Sequence, residues 1–232
     1  MKIDKIYVIN LEHRKDRKKE IMEELSKMKV DDLGKVEIFR GIVPNEEILN
    51  KWNPNFVKPL PDWAKKQNLN EKKYRIGALG CLLSHFTIIQ KAYANDYDNI
   101  LIFEDDALFK MKDKSLPEIL KRYDTFFDKI VKEYGIFYLG GNNSEYGMRR
   151  IIDNIYLTFG TYTTSSYIIS KDCMKFVIDN LTGYPKEIDK FYQEIVQKKK
   201  YCFTIHPPIV VQRESHSDIT DKQVNYDLNT LK

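Results

Sequence analysis

The segment NILIFEDDALF, residues 99–109, constrains the fold of this chain more than any other. Its first half is almost entirely apolar, which is typical of a central strand that helices cover on both faces. Three carboxylates, Glu104, Asp105 and Asp106, follow at once. In open α/β sheets, ligands bind beyond the carboxyl ends of the strands. The segment therefore predicts an α/β architecture and the edge of the sheet at which a site would lie.

The rest of the chain alternates β-rich runs with amphipathic or capped segments, as an α/β domain requires. The predicted strands are 5–11, 35–42, 99–106, 135–140, 155–159, 164–170, 201–205 and 208–212. The predicted helices are 16–28, 77–94, 115–134, 171–181 and 187–199. This order predicts a single domain over residues 1–232, with a mixed, mostly parallel sheet flanked by helices.

Two segments break the alternation. Residues 44–75 hold four prolines, two tryptophans and many Asn and Lys residues, which predicts a long irregular insertion with one short helix at most. Loops of this length are often functional. Trp52, Trp63 and Tyr74 in this insertion could stack on sugar rings or could equally pin the loop to the core. Residues 213–232 are predicted to form a polar tail.

The chain has 232 residues, with 38 basic and 34 acidic side chains and a net charge of +4. That balance does not by itself indicate a nucleic-acid partner. Its three cysteines have no regular spacing, so neither a disulfide framework nor a zinc cluster is expected. No window of about 18 apolar residues predicts a membrane span, and the N-terminus lacks the apolar core of a signal peptide. We therefore expect a cytoplasmic protein with free thiols.

The three acids suit a hard divalent cation, because carboxylate oxygens are the ligands that Mg²⁺ and Mn²⁺ prefer. Packed carboxylates repel one another, and a cation bridging to a diphosphate would offset that repulsion. Strand alternation places Glu104 and Asp106 on one side and Asp105 on the other. The alternative interpretation is an acidic turn that caps the next segment.

Several stretches together resemble glycosyltransferase family 25, the lipooligosaccharide and collagen-type β-galactosyltransferase relatives. The three main matches are IYVINLEHRKDR, GALGCLLSH and ILIFEDDALF; weaker ones are TSSYIIS, PKEID and VQRESHSDI. The resemblance spans nearly the whole chain in the expected order. It implies a GT-A fold, a UDP-sugar donor (usually UDP-galactose), a divalent cation (usually Mn²⁺) and transfer with inversion at the anomeric carbon.

The strand-to-helix turn after the first strand is a candidate donor site. A helix N-terminus favours phosphate, and arginine can donate two hydrogen bonds to a diphosphate. Asn10, Arg14 and Arg17 are therefore predicted to bind the donor. The lysines that crowd the same stretch leave a solvated helix face as the alternative.

The resemblance implies roles for the acids and for two residues of the GCLLSH helix. Asp106 would be a metal ligand, Glu104 would lie near the ribose or the metal, and Asp105 would support them. Ser84 and His85, which lie off the packing stripe of their helix, would contact the donor or support the acidic strand. A purely structural role for both is the alternative.

Two further residues take roles from the weaker matches. Asp189 in PKEID is the candidate base, since an inverting transferase needs a carboxylate to deprotonate the acceptor hydroxyl. Its alternative role is a favourable charge at a helix N-terminus. His216 in VQRESHSDI would complete the metal sphere, unless it is simply solvated.

The sequence thus predicts a metal-dependent inverting glycosyltransferase that moves galactose or glucose from a UDP-sugar to a glycan, lipooligosaccharide or protein hydroxyl. Two departures favour an alternative, a catalytically silent nucleotide-sugar or glycan-binding module. Ala78 replaces the glutamate of the family motif, and Arg40–Gly41 replaces its Asp-Gly. An aspartyl-phosphate enzyme ranks last, because EDDAL lacks the threonine of an Asp-x-Asp-x-Thr motif.

Overall fold

The computed structural model describes residues 1–111, 113–127, 133–144, 147–220 and 222–224. The strands are β1 (Lys5–Asn10), β2 (Val36–Arg40), β3 (Asn99–Glu104), β4 (Ala107–Phe109), β5 (Ile136–Asn143), β6 (Met148–Ile152), β7 (Ile155–Thr158), β8 (Thr161–Ser170), β9 (Phe203–Ile205), β10 (Val210–Gln212), β11 (Ser215–Ser217) and β12 (Lys222–Val224). The helices are α1 (Lys15–Lys27), α2 (Glu46–Trp52), α3 (Asp62–Lys66), α4 (Glu71–Ala94), α5 (Leu116–Lys121), α6 (Lys171–Leu181), α7 (Ile188–Phe191) and α8 (Gln197–Lys199). A π-helical stretch, Tyr192–Val196, joins α7 to α8.

The main sheet has eight strands in the order β2-β1-β3-β8-β5-β9-β7-β6. Strands β7 and β8 run against the other six, as their antiparallel pairings show, whereas β1 pairs in parallel with β2 and β3, and β5 with β9. Two small two-stranded sheets, β4 with β10 and β11 with β12, lie outside it. The predicted mixed, mostly parallel sheet flanked by helices is confirmed.

Strand β3 lies at the centre of the fold, as its apolar sequence predicts. Ile100 and Ile102 belong to the core cluster that includes α4, α6 and α7. Leu101 and Phe103 belong to the cluster on the opposite face, which includes α1 and α5. All four side chains are fully buried, so β3 is fixed from both sides. In the described part of the chain, no helix is both long enough and apolar enough to cross a bilayer.

The insertion is more regular than its composition predicts. It contains α2 and α3, and α4 begins within it at Glu71. Phe56 and Ala64 are fully buried, and the indole N–H of Trp52 donates to the Tyr184 carbonyl at 3.1 Å. Tertiary packing therefore orders a segment whose short helices carry little periodic signal.

Other boundaries also differ from the predictions. The helix predicted over 115–134 is interrupted, because α5 ends at Lys121 and a turn follows; residues 128–132 lie outside the described part. Strand β6, at the exposed sheet edge, was not predicted, since MRRII has no alternation. The predicted polar tail forms the hairpin β11–β12, and residues 225–232 lie outside the described part.

Candidate active site

Asp105 supports the strand end from inside the protein. Its Oδ2 accepts a hydrogen bond from Asn10 Nδ2 at 2.7 Å, and its Oδ1 accepts one from Arg17 at 2.9 Å. Burial nevertheless raises the pKa of Asp105, because the guanidinium offsets only part of the desolvation. The structure thus brings Asn10 and Arg17 together with Asp105. Strand β3 ends at Glu104, so the predicted strand alternation does not extend to Asp105 and Asp106, and all three acids line the same cavity.

Glu104 is held by a buried chain of hydrogen bonds. Its Oε1 accepts from Thr164 Oγ1 at 2.6 Å and lies 3.1 Å from His85 Nε2. On its other side, His85 Nδ1 lies 2.8 Å from the hydroxyl of Tyr167, which in turn lies 3.0 Å from that of Tyr192. Burial alone would raise the pKa of Glu104, but these partners outweigh it and lower that pKa. Glu104 is therefore an oriented, ionised carboxylate.

Asp106 is less well satisfied than its neighbours. Its Oδ1 is buried without a hydrogen-bond partner, and its Oδ2 lies 3.8 Å from the Arg17 guanidinium. Burial raises the pKa of Asp106, and the nearby Glu104 raises it further. A buried oxygen without a partner costs free energy. A ligand that contacts Asp106 Oδ1 would remove this cost.

Gln212, at the end of β10, also has a buried side-chain oxygen without a hydrogen-bond partner. It lies opposite Ala107 in the β4–β10 ladder, and the next amide, that of Arg213, donates to the Asp106 carbonyl at 2.7 Å. Its Oε1 is buried and lacks a hydrogen-bond partner. Gln212 was not among the predicted site residues, although it falls within the VQRESHSDI stretch.

Arg17 joins the acidic turn to the C-terminal hairpin, and Arg14 contacts the same hairpin. Arg17 donates to Ser215 Oγ and to the His216 carbonyl, both at 2.7 Å. Arg14 pairs with Asp16 at 3.0 Å and with Asp218 at 2.5 Å. Both predicted donor-binding arginines have carboxylate partners, but Arg17 lines the first cavity whereas Arg14 lines neither of the two cavities described below.

The GCLLSH helix positions two different parts of the site. Ser84 Oγ accepts from the Ile42 amide at 2.8 Å and donates to the Gly80 carbonyl at 2.7 Å. A side chain at Gly80 would bring its Cβ within 2.5 Å of the Ile42 carbonyl oxygen, so only glycine allows this approach. Ser84 thus supports the loop after β2, whereas His85 supports the acidic strand.

Two adjoining cavities open at this edge of the sheet, with volumes of about 560 and 450 Å³. The first is lined by the acids, Arg17 and the loop after β2. The second is lined by Trp63, Tyr74, Thr163 and Asp189. Residues of both walls form a partition between them: Cys81, Glu104, Gln212, Ser217 and Ile219.

Asp189, the predicted base, lies in the second cavity. Burial raises its pKa to about 6, and the nearby Glu187 contributes. Its Oδ1 accepts from the Lys190 amide at 2.7 Å, and the Thr163 amide also stabilises the carboxylate. Thr163 has a φ of 66°, a conformation that β-branched residues rarely adopt.

His216 is placed differently from the other predicted metal ligands. It lies in β11 opposite Gln223, its side chain is exposed, and its backbone carbonyl is the part that contacts Arg17. Its metal-ligand role stays a prediction. Among the described residues, Cys81, His85 and Glu104 place one ligand atom each within 4.8 Å of one another, a donor set that suits Zn²⁺ better than Mn²⁺.

The sheet order and the acids at the end of β3, with cavities beside them, define a mixed α/β domain with a polar site at the carboxyl ends of its strands. The chain belongs to glycosyltransferase family 25, since the family described as "Glycosyltransferase family 25 (LPS biosynthesis protein)" matches residues 3–192. The predicted family is therefore confirmed.

Three relatives illustrate the range of the family. Procollagen galactosyltransferase 2 of Mus musculus is 24% identical over 82% of this chain and 30% of its own length. The procollagen lysyl hydroxylase and glycosyltransferase of Acanthamoeba polyphaga mimivirus is 29% identical over 75% of the chain and 19% of its own length. The lipooligosaccharide biosynthesis protein lic2B of Haemophilus influenzae is 30% identical over 52% and 42%. The chain thus spans less than half the length of each of these relatives.

Proposed function

We propose that this chain is a metal-dependent inverting glycosyltransferase that moves galactose or glucose from a UDP-sugar to a hydroxyl acceptor. The proposal depends on one observation, the partition between the two cavities. On one side of Glu104 lie the acids and an arginine, and on the other lies Asp189, a half-buried carboxylate whose pKa is raised to about 6. A transfer reaction needs this arrangement of a donor site beside an acceptor site with a base.

The first cavity is the proposed donor site. Arg17 and Lys72 line it, and their cationic groups suit a diphosphate. The apolar residues 42–44, which Ser84 holds in place through the Ile42 amide, form a wall suited to a nucleobase. Asn10 and Arg14 would act indirectly, by holding Asp105 and Asp218.

The first cavity also fits a divalent cation. Asp106 Oδ1 and Gln212 Oε1 are both buried oxygens without partners in its wall, and hard cations prefer oxygen ligands. Asp106, Gln212 and Glu104 would hold Mn²⁺ or Mg²⁺. Such a cation, when bound, neutralises negative charge on a departing diphosphate.

The protein side chains would divide the chemistry between the cavities. Asp189 would take the proton from the acceptor hydroxyl, whose oxygen forms a bond to the anomeric carbon of the donor sugar. The bond from that carbon to the diphosphate breaks on the opposite face, which inverts the configuration. Glu104, fixed by His85 and Thr164, would orient the sugar between the two cavities.

Gln212 and His216 are competing candidates for the C-terminal metal ligand. Replacing Gln212 by Leu removes the amide oxygen at similar volume, and we expect Mn²⁺ binding to weaken about tenfold or more, ~1.4 kcal/mol. His216→Ala should leave Mn²⁺ binding unchanged, because its side chain is exposed. Electron paramagnetic resonance titration of Mn²⁺ measures both. Weaker binding in His216→Ala alone would favour the sequence-based prediction instead.

The silent binding module remains the alternative, and Ala78 is the observation that favours it. This side chain lines the second cavity, at the position where the family motif has glutamate. Arg40 is less relevant, because it is exposed and pairs with Glu12 at 2.5 Å. Neither departure removes a carboxylate from the partition.

Calorimetric titration of UDP, UDP-galactose and UDP-glucose, with and without Mn²⁺, tests the proposal. We expect metal-dependent binding of UDP. When a sugar acceptor is added to the protein with a UDP-sugar, we expect UDP to be formed slowly as the product of transfer. Binding without any release of UDP, whatever the metal or acceptor, would favour the silent module. The absence of binding by every uridine nucleotide would contradict both.

A further inference from the structure

The two tryptophans of the insertion have different structural roles. Trp52 packs edge-on against Phe86, with ring centroids 6.1 Å apart, and its N–H donates to the Tyr184 carbonyl. Trp63 lines the second cavity, and 44% of it is exposed. Trp52 therefore pins the insertion to the core, whereas the packing leaves Trp63 at the cavity mouth.

The ring of Trp63 is held in a defined orientation. Tyr74 packs edge-on against it, with centroids 5.5 Å apart and an interplanar angle of 77°. The Tyr74 hydroxyl donates to Glu187 at 2.8 Å, so the same residue positions the indole and a carboxylate two residues from Asp189. Helix α3 is anchored beside the indole by the fully buried Ala64.

The chemistry of the second cavity suits a pyranose ring. A sugar combines an apolar C–H face with hydroxyls around its edge, and an aromatic face beside polar groups matches that combination. Trp63 supplies the aromatic surface, and Thr163, Gln67 and Gln223 supply neutral hydrogen-bonding groups. Asp189 lies in the same wall, where an acceptor hydroxyl would meet it.

An ammonium group, as on an amino-acid acceptor, would not find two aromatic faces turned toward it by Trp63 and Tyr74. Aromatic cages for ammonium ions surround the cation with ring faces, whereas Tyr74 is buried and its ring lies at 77° to that of Trp63. Two lysines also lie nearby, since the Lys222 ammonium donates to the Gln67 carbonyl and the charge of Lys190 lowers the pKa of Asp189. Their positive charges oppose a cationic ligand, whereas the carboxylates of Glu104, Glu187 and Asp189 in the cavity wall favour one and can also accept hydrogen bonds from sugar hydroxyls.

We infer that the second cavity is an acceptor subsite for a sugar, with Trp63 as its stacking surface, so that the acceptor is a glycan rather than a lysine-derived side chain. This inference rests on the proposed function, because a bound sugar is an acceptor only if the protein is a transferase. Binding of the sugar itself can be measured without a donor. Trp63 would be a specificity residue, in contact with the acceptor and distant from the transferred proton.

Saturation-transfer NMR with methyl β-D-galactopyranoside and methyl β-D-glucopyranoside, without UDP, tests the subsite. We expect binding of at least one glycoside, weakened about three- to tenfold in Trp63→Leu and unchanged in the matched control Trp52→Phe. In Trp52→Phe, Trp63 is the single remaining tryptophan, so its fluorescence should change as the glycoside binds. Glycerol at equal concentration should leave that fluorescence unchanged.

The amide of N-acetyl-5-hydroxylysine serves as the competing probe. Binding of this probe without binding of either glycoside would overturn the inference, as would glycoside binding that Trp63→Leu leaves intact. Binding of neither probe would also overturn it. Failure of the proposed function is seen separately, as the absence of UDP binding in the calorimetric titration.

Discussion

Replacing Asp189 by Asn is expected to slow sugar transfer by about 10²–10⁴-fold while leaving metal-dependent UDP binding intact. Asparagine keeps an oxygen that can accept from the Lys190 amide, so the start of α7 should stay folded. It cannot take a proton from the acceptor hydroxyl. Transfer rates measured with saturating donor and acceptor report loss of the base. Calorimetry with UDP shows whether the donor site is still intact.

The pH dependence of the same reaction gives an independent check. A base works only when ionised, so the rate should rise with pH through the raised pKa of Asp189, about 6. Glu187→Gln is the matched control, because the charge of Glu187 contributes to that rise. This variant should keep its activity and shift the acid limb to lower pH. An acid limb at the same pH in Glu187→Gln as in the wild type would assign the base to another residue. A wild-type rate and acid limb in Asp189→Asn would do the same.

Replacing Asp106 by Asn is expected to abolish Mn²⁺-dependent UDP binding and turnover while raising the melting temperature of the metal-free protein. Burial and Glu104 raise the pKa of Asp106 in the folded protein. A carboxyl with a raised folded pKa destabilises the fold progressively as the pH rises above its unfolded pKa. Removing the charge should therefore raise the melting temperature by a few degrees at mildly alkaline pH, as scanning calorimetry would show.

Glu104→Gln is the matched control for this stability effect. The folded pKa of Glu104 is lowered by its hydrogen bonds to His85 and Thr164, so its charge stabilises the protein above the unfolded pKa. The melting temperature of Glu104→Gln should fall where that of Asp106→Asn rises. Adding Mn²⁺ should raise the melting temperature of the wild type and not that of Asp106→Asn. A lower melting temperature in metal-free Asp106→Asn would show that Asp106 has a stabilising partner.

The apolar run was enough to predict the central strand, and the resemblance of three separated motifs was enough to predict the family. The apolar run of β3 specified a doubly covered strand, but that strand ends at Glu104, so period-2 alternation did not describe the turn that holds Asp105 and Asp106. The support that the GCLLSH motif gives to the acidic strand was also anticipated. Each of these features depends on residues close together in sequence, where periodicity and spacing are informative.

The features that were missed depend on contacts between distant segments. Gln212 reaches the acidic turn through a short ladder with β4, and Thr164 meets Glu104 across 60 residues of chain. Both residues lie in stretches that resemble the family, TSSYIIS and VQRESHSDI, but the sequence of these stretches does not indicate which side chains reach the acidic turn. The choice between Trp52 and Trp63 likewise required the packing of Phe86 and Tyr74, which the composition of the insertion does not specify.

The left-handed backbone of Thr163 has a consequence for how this sequence can change. That conformation costs a residue other than glycine about 1–2 kcal/mol, yet it brings the Thr163 amide to Asp189. The pairing of β5 with β8 is irregular at the same place. Selection for thermal robustness alone would drive position 163 toward glycine, and selection for a rigid base would resist it. Threonine at this position is therefore a compromise between backbone stability and a rigidly held base.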